Sequence, residues 1–302
     1  MKIPTLLLAS LLLLAGQAVA GLNVVATTTN MAMLVETVGG EHVRVTTLAP
    51  PDRDTHYLDV RPNMMAALRR ADLVVSVGAE LETGWLPPAI QGAGNRRINP
   101  GSSGYFEAAA QVEMIGQVED ADRSMGDVHP MGNPHVYLDP LRFADVGRAL
   151  ASALAELDQA NADSYRNNAR ALAERIQARV PQWRERVADA PGVLLFHADA
   201  DYLTGLLDVP VHGYMQPVPG VPPSGRHLRD LVSQLSDREG VLITQPWHDQ
   251  RHADFIRREL GWPVVTLGSN VPLDGGLEDY LAMIDRWVAA MSAQGDAAGS
   301  SE

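Results

Sequence analysis

The sequence contains no cysteine in 302 residues. Disulfides and thiolate metal sites are therefore excluded, and any metal must be held by His, Asp, Glu or backbone oxygen. Positive charge is also scarce: 24 Lys and Arg stand against 37 Asp and Glu, a formal net charge of -13. That balance argues against nucleic acid and anionic membrane surfaces as partners and suits a cationic ligand. The Gly-x-x-x-x-Gly-Lys-Ser/Thr phosphate loop is missing, so any ATPase working with this chain is a separate polypeptide. Apolar runs long enough to span a bilayer are missing too. The opening "MKIPTLLLASLLLLAGQAVA" has Lys2, a short apolar run and Ala18-Val19-Ala20. It reads as a secretory signal peptide cut after Ala20, with no cysteine there to carry a lipid, and predicts a protein free in the periplasm.

What is present after Leu22 is an alternation. Short β-branched runs ("LNVVATT", "VRVTTLA", "ADLVVSVG") are separated by helical stretches near Met31–Val38 and Asn63–Arg70. This is the pattern of βαβ units and a parallel sheet. After Pro140 a helical tract of 49 residues runs from Leu141 to Asp189. It would reach about 70 Å if helical throughout, long enough to cross between domains. "LDQANADSY" is a candidate break, and Pro181 is expected to kink or restart the helix. Beyond Gly192 the alternation resumes with "GVLLFHAD", "VPVHGYM", "GVLITQPW" and "WPVVTLG", and with helices near Gly225–Leu235, His252–Leu260 and Leu277–Met291. The expected organisation is a signal peptide (1–20), an N-terminal α/β lobe (21–140), a helical linker (141–189) and a C-terminal α/β lobe (190–302). The fold class is α/β, with two mostly parallel sheets flanked by helices and joined by a long backbone helix.

Open parallel sheets bind ligands outside the carboxyl ends of their strands, which ranks the nine histidines. His56 lies in the Pro- and Asp-rich loop "APPDRDTHYLDVRP" after a strand, where a solvated histidine is the competing reading. His197 directly follows the buried-strand pattern "GVLLF". Its spacing to Asp199 and Asp201 resembles the His-x-Asp-x-Asp of some metallohydrolases, but both aspartates equally suit a helix start. His129 and His135 share "DVHPMGNPHVYLDP", where Pro130, Gly132 and Pro134 prevent a regular helix. Two imidazoles on one stiff loop suit zinc coordination at small ordering cost, with the remaining ligands arriving from elsewhere. His42 and His227 read as exposed, His212 as a satisfied core histidine, and His248 and His252 as flanking a helix start.

With these residues placed, the chain resembles the periplasmic solute-binding proteins of zinc and manganese ABC transporters, the cluster whose lobes are joined by a long rigid helix. The resemblance covers the whole mature chain and rests on "DTHYLDVRP", "ADLVVSVGAELETGW", "NPHVYLDP", "FHADADYLTGLLDV", "PVPGVPPSGRHLRDLV" and "LEDYLAMIDRWV". It implies metal ligation by His56, His135 and His197 in the cleft between the lobes. Two features of the family are missing. The carboxylate usually supplied after the last strand is absent from "VVTLGSNVPLDGG", which leaves His129, water or Asp274 for the fourth position. The long His- and Asp-rich loop is also absent, and residues 118–128 are short. The implied function is capture of Zn²⁺, or less readily Mn²⁺, for an ABC permease driven by a separate ATPase subunit. The expected protein is a monomer and not an enzyme, with loading by a periplasmic metallochaperone left open. A zinc-dependent hydrolase on the same histidines would need a general base, for which Asp199 and Asp201 are the candidates.

Overall fold

The computed structural model describes residues 21–117, 129–218 and 220–292. The expected signal peptide and the short 118–128 segment lie outside them. Two four-stranded, all-parallel sheets organise the chain. The first comprises β1 (Leu22–Ala26), β2 (Val43–Thr47), β3 (Leu73–Ser76) and β4 (Tyr105–Glu107) in the order β2-β1-β3-β4. The second comprises β5 (Val193–Leu195), β6 (Val211–Tyr214), β7 (Val241–Thr244) and β8 (Val264–Thr266) in the order β6-β5-β7-β8. The two orders are the same, so each sheet reverses direction at its centre, between β1 and β3 and between β5 and β7. In open parallel sheets that reversal opens a crevice at the carboxyl ends.

Both faces of each sheet are covered, as parallel strands require. In β1, Val25 faces outward while Val24 and Ala26 face inward. The outer face of the first sheet packs under α2 (Pro62–Arg70) and α3 (Leu86–Ala93), and that of the second under α7 (Gly225–Leu235) and α8 (Gln250–Leu260). The inner faces share a single core. It runs from Val24 and Leu73 through α1 (Thr29–Gly39), α4 (Pro140–Leu157), α5 (Ala162–Arg186) and α9 (Leu277–Met291) to Val193 and Leu195. The short α6 (Asp201–Leu207) completes the second lobe.

The helical tract differs from the sequence expectation. It does not extend as one rod: a 3₁₀ turn at Gln159–Asn161 reverses it, and α4 packs against α5 as a hairpin. The break falls within "LDQANADSY", where Asp158 accepts hydrogen bonds from Asn161 Nδ2 and Tyr165 Oη, both at 2.7 Å. α5, about 37 Å long, runs along both lobes. Asn168 near its start donates to Val38 O of α1 at 3.0 Å, and Trp183 near its end donates to Asp285 of α9 at 2.6 Å. Pro181 neither ends nor restarts α5. It stands on the exposed face, where water can satisfy the carbonyl left without its N–H partner.

A second join lies beside the cleft. Thr29 and Asn30 at the start of α1 bond to the loop after β8, through Thr29 Oγ1 to Val271 O (2.7 Å), Asn30 Nδ2 to Ser269 O (2.8 Å) and Val271 N to Asn30 Oδ1 (3.0 Å). These groups are buried. Breaking them would leave buried backbone groups without partners, so the lobes are stitched as well as bridged.

Candidate metal centre

Four histidines meet where the two carboxyl-end crevices face each other. His56 is carried by the loop after β2, which is pinned by Trp85 Nε1 donating to Thr55 O at 2.8 Å. The Asp54 carboxylate accepts from His56 N at 3.0 Å and from His56 Nδ1 at 2.7 Å. A carboxylate only accepts, so Nδ1 carries the proton and Nε2 presents its lone pair. Burial works against ionisation of Asp54, yet the hydrogen bonds and charge of His56 hold its pKa below the usual carboxylate value.

His129 and His135 come from one turning loop, as the prolines and Gly132 imply. Gly132 has φ of +123°, and a Cβ there would meet Met114 Cβ at 2.7 Å, so only glycine fits. The loop is fastened to the second lobe by Asn133 Nδ2 donating to Ala198 O at 2.5 Å and Tyr202 Oη donating to Asn133 O at 2.8 Å. His135 is buried, its Nδ1 lies 2.9 Å from Tyr137 Oη, and its pKa is well below the ordinary value because of burial and then the neighbouring histidines. It is therefore neutral, as a metal ligand must be. After a 3₁₀ turn at Val136–Leu138, Asp139 caps α4 by accepting from Leu141 N and Arg142 N, with Pro140 at the first helical position. The "LDP" of the motif thus holds the loop's exit and stays out of the cleft.

His197 follows β5 at the second sheet's reversal point. Its Nδ1 lies 3.5 Å from Asp199 Oδ1. Burial alone would lower its pKa, but the charges of Asp199, Asp54 and Asp201 raise it on balance.

The His56 and His129 Nε2 atoms are 3.1 Å apart. Ring centroids are separated by 5.3 Å (His56–His129), 5.2 Å (His135–His197), 5.9 Å (His56–His135) and 6.5 Å (His56–His197). Among the described residues no three His, Asp or Glu donors are yet drawn together as a closed metal site, so the arrangement is an open one. Asp274 takes no part. It lines a separate recess with Glu36, whose pKa is raised by burial and then by the Asp274 charge.

Three groups singled out weakly or not at all from sequence also stand here. His248 and His252 line, with His56 and His197, a cleft of about 330 Å³. His248 Nδ1 accepts from Gln245 N at 3.0 Å and its ring stacks on Phe196 at 3.7 Å. Its neutral form thus carries the proton on Nε2 and is not poised to ligate a metal through that nitrogen. Gln245, immediately after β7, donates to Asp199 and accepts from Ser269 Oγ at 3.1 Å. Its position after "VLIT" parallels that of His197 after "VLLF", a signal that a search confined to metal-ligating side chains passes over. His212 is satisfied by Pro191 O at 2.8 Å, and His227 bonds Tyr214 O at 2.9 Å.

The family profile described as zinc-uptake complex component A, periplasmic (ZnuA) matches residues 24–294. Among curated relatives, the metal ABC transporter substrate-binding lipoprotein ScbA of Streptococcus cristatus is 25% identical over 174 residues, 57% of this chain and 53% of ScbA. The manganese-binding lipoprotein MntA of Bacillus subtilis is 30% identical over 172 residues, 56% of this chain and 51% of MntA. The zinc-binding lipoprotein AdcA of Streptococcus pneumoniae is 23% identical over 285 residues, 91% of this chain and 54% of AdcA. The chain thus spans about half the length of these relatives. In fold it is similar to the crystal structure of a ZnuA deletion mutant with zinc bound, at TM-score 0.75 and 21% identity, covering 91% of this chain and 99% of that one. A profile match over nearly all the described residues, on the fold and cleft set out above, means that the chain belongs to the ZnuA family, the metal-binding periplasmic components of ABC transporters.

Proposed function

We propose that this protein captures Zn²⁺ as its cargo in the cleft, through the Nε2 atoms of His56, His129, His135 and His197, and delivers it to an ABC permease driven by a separate ATPase. The observation that carries the reading is the spacing of the four rings. Four imidazoles on one tetrahedral zinc ion place their centroids about 5 Å apart; here His56, His135 and His197 lie 5.2 to 6.5 Å from one another and His129 lies 5.3 Å from His56. A small inward movement of the loops closes the set.

The choice of zinc follows from the donors. Mn²⁺ favours carboxylate and carbonyl oxygen, whereas imidazole suits zinc, and the one carboxylate weighed for the fourth position, Asp274, lies elsewhere. The four imidazoles bring no formal charge. Asp54, hydrogen-bonded to His56 Nδ1, orients that ring, and with Asp199, 3.5 Å from His197 Nδ1, balances the dication at one remove. Asp199 is already engaged by Gln245 Nε2 and Ala200 N, which disfavours it as the general base of a hydrolase and fits a binding protein. The leader-like opening fits a periplasmic location.

The test is metal analysis after dialysis against buffered free zinc. One zinc per chain in the wild type, with a clear loss at the same free zinc in His197→Ala, supports the reading. No retained zinc, or equal retention in all four His→Ala variants, overturns it.

A further inference from the structure

We infer that the cleft beside the four histidines is an entry site for zinc held by a small amino-acid chelator, and that His248 and Trp247 recognise the chelator while the metal passes to the protein. The inference rests on the proposed zinc ligands and adds the chemical form in which the cargo arrives.

The size of the cleft points beyond a bare ion. Its volume is about 330 Å³, whereas a water molecule takes up about 30 Å³ of liquid and pockets for small organic ligands begin at about 300 Å³. Of the four proposed zinc ligands, only His56 and His197 line it. His135 is buried and borders, with those two, a separate small recess. A metal arriving through the cleft therefore meets two imidazoles first. A tetrahedral zinc ion has four positions, and a chelator that binds through an amine and a carboxylate fills the two that remain. His135 and His129 then displace the chelator one bond at a time, so the ion is never without ligands.

The lining names the class of chelator. Phe196, Trp247 and His248 supply flat apolar surface, with the His248 ring stacked on Phe196 at 3.7 Å. His248 accepts from Gln245 N through Nδ1, so its neutral ring carries the proton on Nε2. Among the described residues no group accepts from His248 Nε2 or from Trp247 Nε1. Two N–H donors on consecutive residues suit the oxygens of a carboxylate. No Lys or Arg lines the cleft, whereas Asp54 and Asp249 do. Asp249 is paired with Arg251, so Asp54 sets the sign of the lining. Such a surface admits a cation and repels an anion. Zinc bound to one amino-acid anion is a monocation, whereas its complex with a fully ionised tricarboxylate is an anion.

The experiment is the rate of zinc loading into the metal-free, full-length protein at one fixed free-zinc concentration, as the concentration of zinc's complex with free histidine, or with citrate, is raised. Loading is expected to accelerate and saturate with the histidine complex and to stay at the free-zinc rate with the citrate complex. His248→Asn keeps an acceptor for Gln245 N and withdraws the ring N–H from the cleft. It is expected to slow the histidine-dependent loading by about 10-fold, the effect of one hydrogen bond to a charged group, with equilibrium zinc affinity unchanged. A wild-type rate set by free zinc alone, equal acceleration by both complexes, or an unchanged rate in His248→Asn would overturn the entry site and leave the proposed cargo standing. No zinc uptake from any source would refute the cargo, and the entry site with it.

Discussion

His56 and His129, 73 positions apart in the chain, bring their Nε2 atoms to 3.1 Å. With the His56 proton committed to Asp54 through Nδ1, a hydrogen bond at this distance needs His129 to donate from its own Nε2. A zinc ion bound between them would take the place of that proton, and two nitrogens on a tetrahedral zinc are about 3.3 Å apart. Under the proposed assignment His129 then supplies the fourth ligand beside His56. His129→Ala is expected to weaken zinc binding by 10-fold or more, to about the level of a three-histidine site completed by water. Calorimetry on the variant checks this; affinity equal to the wild type would assign the fourth position to water.

Acid is expected to release the cargo, with His197 taking up a proton before His135. Metal binding requires neutral imidazole, and the folded environment raises the His197 pKa while that of His135 is well below the ordinary value. As pH falls, His197 therefore protonates above the ordinary imidazole value of about 6.5, and His135 well below it. Zinc affinity measured across this range should fall with an initial slope of one proton per metal. Affinity independent of pH down to about 5 would contradict the assignment of these imidazoles as ligands.

Folding stability carries a separate pH signature from His248, whose pKa is pushed down to about 4, chiefly by burial against Phe196. The unfolded chain takes up this proton at about 6.5 and the folded one only near 4. Stability from this residue is therefore complete above about 6.5 and is lost as pH falls toward 4, amounting to about 3 kcal/mol when fully expressed. His248→Asn keeps an acceptor for Gln245 N and cannot charge. Urea denaturation of the metal-free protein is expected to show a shallower loss of stability between these pH values in the variant, and the same slope as wild type would count against the assignment.

The stitch between α1 and the loop after β8 predicts a stability cost away from the ligands. Asn30→Ala removes two buried bonds and leaves Ser269 O and Val271 N unsatisfied. A loss of about 2–4 kcal/mol follows, measurable by chemical denaturation. A change below about 0.5 kcal/mol would mean that the stitch contributes little.

The sheets were legible in the sequence because parallel strands buried on both faces, such as "VLLF" and "VLIT", read as short apolar β-branched runs. The carboxyl-end rule then placed His56 and His197 on the cleft. Other parts needed tertiary information. Apolar spacing of three and four marks α4 and α5 as amphipathic but does not say that they face one another, so the hairpin was read as a single crossing. Pro87, Pro88 and Gly92 disguised α3, and β4 is only three residues long. Asp274 looked available from its distance along the chain, yet the turn at Pro272–Gly275, closed by Gly275 N donating to Pro272 O, carries it to Glu36 instead. Gln245 and Ser269 escaped because an amide and a hydroxyl are not metal ligands, and their contacts with Asp199 and each other depend on the fold.

The central claim is that a histidine-only cleft selects zinc, and calorimetric titration of the metal-free, full-length protein with Zn²⁺ and with Mn²⁺ under identical buffer conditions tests it most directly. One zinc per chain is expected, with manganese weaker by at least about 100-fold, in line with the order of divalent affinities at nitrogen sites. Manganese binding as tight as zinc, or more than one tight zinc per chain, would contradict it.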